Sequence, residues 1–311
     1  MKALRTWIAL LLVTTLGLTA CAPQGASQPK IVIAVLPTAT AEQLSANAKD
    51  LGAFLSQRMG REVELIFPTT YAGVVEALRF GHAQAAFMSA WPARLAWKIA
   101  DADVGLAEVR EVVIGQDKKE ETFYFSYWVV RKDSPVTKLE ELRGKRAVFP
   151  SQLSTSGYVA PLARLIELGL VGAPPAGKEA DAKTFFGQVT FAGGYQQGWE
   201  ALKAGQADVA IIAGDVAEKL YREVLDGTRV VEQQGPVPSH SVVFAKQLDP
   251  QTKQQLKDAL LELGKPEHRD LMRKFISGIF VGFRPTTAEQ HLAALAKYLD
   301  TTQLAFVEPL R

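Results

Sequence analysis

Cysteine occurs once in the 311 residues, at Cys21. One sulfur cannot close an intramolecular disulfide, and a nucleophilic cysteine within the body of the chain is excluded. Beyond the N-terminus, no apolar run approaches the roughly 18 residues that cross a bilayer. The four histidines, His82, His240, His268 and His291, are scattered without the spacing of metal ligands. The chain has no glycine-rich loop of the Walker type, no nucleophile elbow and no zinc signature. No metal or cofactor is therefore expected. Net charge is lacking as well. Removing residues 1–20 takes Lys2 and Arg5 from 35 basic residues, which leaves 33 against 33 acidic ones. That balance carries no electrostatic footprint for nucleic acid.

What is present begins with an export signal. Met1 to Arg5 is a short basic region, and Trp7 to Leu18 is an apolar stretch too short for a mature membrane anchor. It runs into Leu18-Thr19-Ala20-Cys21 and then a Pro/Gln/Gly/Ser tether. The arrangement resembles a bacterial lipoprotein signal, in which the cysteine becomes the lipidated first residue. The expected division is a signal over residues 1–20, a tether over 21–30, and a mature body held in the cell envelope through Cys21. That body of about 290 residues is long enough for two domains.

A diverged repeat organises the body. Tyr71 to Ala83 aligns without gaps on Tyr195 to Ala207, sharing the Tyr, a Glu-Ala-Leu, a basic residue, a Gly and an Ala. In each copy a short helix closes at a glycine. An apolar strand then follows, Ala85 to Met88 in one copy and Val209 to Ala213 in the other. Upstream of each copy lies a strand–turn–helix. Ile31 to Val35 leads to a helix with Leu44, Ala48, Leu51 and Leu55 on one face, and Arg146 to Phe149 leads to Val159–Leu168. This alternation predicts an α/β chain with two parallel-rich sheets and flanking helices. One domain would take residues 31–125 and 240–311 and the other 126–239. Two strands would join them, near Tyr124–Arg131 and Ser239–Lys246.

Between the strand and helix of the second half stands Ser154-Thr155-Ser156-Gly157-Tyr158. Free N–H groups at a helix start, the helix dipole and three hydroxyls together make an anion site without Lys or Arg. Ser and Thr are also ordinary helix caps, so the motif alone leaves both readings open. Ligands of open parallel sheets bind beyond the carboxyl ends of strands. That rule gathers Thr38, Tyr71, Ser89, Trp91, Ser154, Thr155, Ser156, Tyr195 and Asp215 around one mouth. Trp91 reads equally as pocket wall or core anchor. Asp215 reads as ligand contact or cap, and His240 as a possible lining residue.

The chain resembles the solute-binding proteins of phosphonate, phosphite and phosphate ABC importers. The stretches carrying the resemblance run in order over about residues 31–265. They are Val35-Leu36-Pro37-Thr38, Tyr71 to Gly81, Val130 to Ser134, Leu142 to Arg146, Ser154 to Tyr158, Phe191 to Gly194 and Pro238-Ser239-His240. The resemblance implies a two-domain type II periplasmic-binding fold closing on a phosphorus oxyanion. Ser154, Thr155 and Ser156 would hold its oxygens, assisted by Tyr71 and Asp215. The implied partners are an ABC permease and ATPase, with the protein a monomer. Members that bind aminoalkyl phosphonates place an acidic residue after the Gly-Gly pair. Here the chain reads Gly194-Tyr195-Gln196-Gln197, which argues against a buried ammonium and leaves phosphite, phosphate or a simple phosphonate, with a bulkier organophosphorus ligand still open. A receptor for an importer is the expected function. A ligand sensor of the same fold and a periplasmic enzyme are the alternatives, although Ser154 and Ser156 have no evident base in the sequence.

Overall fold

Apolar runs at strand and helix spacing place the elements. The structure, a computed structural model, describes residues 29–36, 41–114, 117–214, 216, 218–276 and 278–305. Strand β1 (Ile31–Val35) leads to helix α1 (Ala41–Met59), which buries Ala48, Leu51 and Leu55 on one face. The Leu44 side chain lies outside those described. Next come β2 (Val63–Ile66), α2 (Tyr71–Arg79), β3 (Ala85–Met88), α3 (Ala90–Ile99), β4 (Asp103–Ile114) and β5 (Asp117–Glu121). The chain then enters a second sheet through β6 (Phe123–Arg131), β7 (Arg146–Phe149), α4 (Ala160–Glu167), β8 (Gln188–Phe191), α5 (Tyr195–Lys203), β9 (Val209–Ala213), α6 (Glu218–Gly227) and β10 (Thr228–Pro238). It returns by β11 (Ser241–Phe244), α7 (Pro250–Leu261), α8 (Arg269–Phe275), β12 (Phe280–Pro285), α9 (Ala288–His291) and α10 (Ala293–Thr302).

The repeat is visible as structure. Helices α2 and α5 have equal length, and Gly81 and Gly205 close them with φ of 73° and 71°. A Cβ would be strained in that left-handed region, so glycine ends both copies.

The first sheet runs β12-β4-β11-β3-β1-β2 with β5 beside β4, and the second runs β10-β6-β9-β7-β8. Parallel pairing holds where β–α–β units build the sheets, around β1 and β7. The other pairs are antiparallel, and they involve the strands by which the chain leaves one lobe, enters the other or returns. Both sheets are thus mixed. The chain passes between them at Thr122 and at Ser239–His240, and Ser239 N–H donates to Thr122 O at 2.9 Å, so the crossings lie side by side. The Tyr124–Arg131 run is mostly the crossing strand's own place in the second sheet.

Helices α1, α7 and α8 cover one face of the first sheet through Leu51, Leu55, Leu256, Leu260 and Phe275. On the other face a single apolar cluster runs from Val74, Met88 and Trp91 to Trp128, Phe149 and Phe186 of the second lobe. Helix α10 packs on α4 and β10: Tyr298 Oη donates to Pro236 O at 2.8 Å, and Ala180 N–H donates to Thr302 O at 2.9 Å. The C-terminal tail therefore divides, with α7, α8 and β12 against the first sheet and α10 against the second lobe.

Candidate functional site

The Ser-Thr-Ser turn follows β7 as its sequence predicts, but it opens with a single wide π turn, Thr155–Val159, before α4 begins. Such turns often mark functional positions. Ser154 caps it, its Oγ accepting from Gly157 N–H at 3.0 Å. The three side chains are 1%, 0% and 2% exposed. They sit in the closed junction between the lobes.

Two tyrosines complete a chain of hydroxyls. Tyr195, the first residue of α5, places its Oη 2.7 Å from Ser156 Oγ and 3.3 Å from Ser154 Oγ. Tyr124 donates its hydroxyl proton to Ser156 Oγ at 2.7 Å. Across the cleft, the Trp91 backbone N–H at the start of α3 donates to Thr155 Oγ1 at 2.8 Å. Ser89, immediately before α3, is buried, and its Oγ has no hydrogen-bond partner among the described residues. Tyr71 begins α2 and is also buried. The starts of α2, α3, α5 and the Thr155 turn thus lie at carboxyl ends of strands from both sheets. Their dipoles make that region electropositive without a lysine. Thr38, Asp215 and Cys21 lie outside the described residues.

Trp91 joins the apolar cluster and also walls a cavity of about 510 Å³ with Gln152, Tyr158, Asp181 and Phe191. That cavity adjoins the hydroxyl cluster, and none of the four clustered hydroxyls lines it. Burial, with Asp181 and Glu179 nearby, pushes the Tyr158 hydroxyl up to about 12.

Four groups with a place beside this site escaped the sequence reading: Tyr124, Arg110, Glu108 and Ser239. Arg110 and Glu108 are buried on β4 with Nη2 and Oε2 2.5 Å apart. The Arg110 guanidinium lies over the Tyr124 ring, 4.4 Å from its centroid. Ser239 Oγ donates to Glu108 O at 2.6 Å, and His291 Nε2 lies 2.8 Å from Ser239 O. His240 is buried beside them, its Nδ1 3.8 Å from Glu108 Oε2. Burial first, then Arg110 and His291, holds His240 well below its ordinary value, so that contact is not an ion pair. Glu108 is already committed to Arg110. The period-two pattern Tyr124-Ser126-Trp128 and the charges of Glu108 and Arg110, on one face of β4, were the available signals.

A family model described as the periplasmic substrate-binding protein of a phosphonate ABC transporter matches residues 33–291. The phosphate-import protein PhnD of Mycolicibacterium smegmatis is 30% identical over 193 residues, 61% of this chain. The chain spans 56% of that relative's length. Among solved structures, a binding component of an ABC phosphonate transporter from Pseudomonas aeruginosa superposes with a TM-score of 0.74 at 20% identity, covering 88% of this chain and 87% of the other. PhnD1 of Prochlorococcus marinus, solved with methylphosphonate, gives 0.70 at 14% identity, covering 87% and 97%. At these identities the structural likeness is one of fold, the two-lobed α/β fold of periplasmic binding proteins.

Proposed function

We propose, from the premise that the chain belongs to the phosphonate family of periplasmic ABC-transporter substrate-binding proteins, that it captures a small phosphorus oxyanion between its lobes for delivery to an importer. The observation carrying this reading is the buried chain Tyr124–Ser156–Tyr195–Ser154 beside the Thr155–Trp91 contact. Hydroxyls and helix-start amides suit a tetrahedral anion, and the unpartnered Ser89 Oγ adds a further donor. Ligands of the two named relatives, phosphate and methylphosphonate, have this shape and charge. Phosphite belongs to the same class. Asp215 is proposed as the acceptor of a P–OH proton, which favours a ligand that still carries one.

Binding rather than turnover fits the immediate chemistry. The partners of the Ser154 and Ser156 hydroxyls among the described residues are tyrosine hydroxyls and a backbone amide, with no imidazole or carboxylate to act as base. Calorimetry of the protein against methylphosphonate, phosphate, phosphite and sulfate tests the reading. Saturable binding of at least one phosphorus oxyanion, with sulfate bound weakly, is expected; no heat with any of them refutes it.

The export reading is proposed on the same footing. With Cys21 lipidated, the mature protein partitions with membranes, and Cys21→Ser leaves it soluble or unprocessed. A single chain anchors only marginally and stable attachment takes two, so the shift is expected to be nearly complete. Equal partition of both proteins would remove the anchor.

A further inference from the structure

Arg110 is a charged group that touches the hydroxyl chain through an intermediary. Its guanidinium covers the face of Tyr124, and Tyr124 donates to Ser156. Each hydroxyl has one proton to give. With Tyr124 donating to Ser156, the Ser156 proton is directed to Tyr195, whose Oη also lies within reach of Ser154 Oγ. Ser154 Oγ also accepts from Gly157 N–H, so the Ser154 proton is the donor left over at the far end. A cation at the Tyr124 end favours this direction, because O–H dipoles turn their protons away from positive charge. A cation over a phenol ring also draws on its electrons and strengthens its hydroxyl as a donor, and successive hydrogen bonds polarise one another.

We propose that Arg110 is a positioning residue that strengthens anion binding through Tyr124 and the hydroxyl chain, and that Glu108 moderates it. The inference rests on the oxyanion reading of the site. Arg110 is wholly buried, so its field is poorly screened by solvent. Glu108, 2.5 Å away, offsets most of that field. Among the described residues, His240 and His291 also pack here, and burial keeps both neutral at pH 7. The Arg110–Glu108 pair thus places formal charge of both signs beside Tyr124. A purely structural pair makes a different forecast: removing either partner leaves a buried charge uncompensated and harms the site in the same direction.

The test is calorimetry with methylphosphonate and inorganic phosphate at pH 7, with thermal melting to verify folding. Arg110→Met is expected to weaken binding roughly tenfold, a size consistent with a screened charge several ångströms from the anion. Arg110→Lys keeps the cation and is expected to stay within about threefold of wild type. Glu108→Gln is expected to tighten binding, the opposite sign. In a Tyr124→Phe background, Arg110→Met is expected to cost nothing further, because the relay is already cut. Weakened binding in Glu108→Gln, equal losses in Arg110→Lys and Arg110→Met, or an undiminished Arg110 effect without the Tyr124 hydroxyl would each overturn the inference. If Arg110→Met does not fold, Arg110→Lys and Glu108→Gln still decide by sign. Wild type that binds neither probe would instead overturn the oxyanion reading, and this inference with it. Normal binding that no variant alters overturns the inference alone.

Discussion

Thr155 places one oxygen where the lobes meet, and Trp91 on the opposite side gives it a backbone proton. Valine keeps the shape of threonine but cannot accept that bond. Thr155→Val should therefore weaken ligand binding by roughly one to two decades, at about 1.5–3 kcal/mol for a charge-assisted bond. Titration calorimetry with methylphosphonate reads this directly, and unchanged affinity would make Thr155 only part of the turn. A second effect at this scale comes from histidine. Burial lowers both His240 and His291 in the folded protein, with Arg110 adding to each. The unfolded chain then takes up protons as pH falls through 6.5 while the folded one does not. Stability is expected to fall below that pH, by up to about 1.4 kcal/mol per unit for each histidine. Melting temperatures between pH 7.5 and 5.5 should show the decline, and His240→Gln should flatten it.

The element that matters most is the π turn at Thr155–Val159. It exists in this form because residue 157 is glycine. A Cβ there would stand 2.1 Å from Pro150 Cγ and 2.6 Å from Ser154 Oγ. Gly157→Ala must push the turn off the preceding loop and move the Ser154 hydroxyl with it. The expected cost is about 1–3 kcal/mol, as for other overpacked sites, together with weaker binding. Gly198 in α5 is the matched control, since nothing lies within 4 Å of its Cβ position. Gly198→Ala should stabilise by roughly 0.4–1 kcal/mol through the unfolded chain and leave affinity unchanged. Denaturant melts and calorimetry on both variants separate local crowding from a general effect of removing glycine.

On the scale of the whole molecule, the lobes are tied three times. Two crossings run together at Thr122 and Ser239–His240. The third tie is the tail: α9 rests against β4 and α3 while α10 rests on α4 and β10. Opening the cleft must break the Trp91–Thr155 bond and bend the chain near Leu292 between these helices. Hinge closure on a ligand is the expected motion. Small-angle scattering should show a smaller radius of gyration with saturating methylphosphonate than without ligand. Identical profiles would mean that the lobes are already held closed by these contacts.

Sequence by itself determined the elements whose pattern is local. The Tyr71 and Tyr195 copies emerged as equal helices ending at positive-φ glycines, and Ser154 appeared at the cap of a turn after β7, because helix period, C-terminal glycine and strand apolarity are properties of neighbouring residues. Membership of the two-lobed α/β class followed from their alternation. Tertiary structure alone decided that Tyr124, thirty-odd residues from both Ser156 and Trp91 in the sequence, would share the site. It also put Arg110 over the Tyr124 ring, brought Trp91 N–H onto Thr155, and carried α10 to the second lobe. Each of these is a contact between distant segments, set by how the two sheets close on a common apolar cluster. A linear pattern records which face a side chain takes on its own strand. It does not record what the opposite lobe brings to that face.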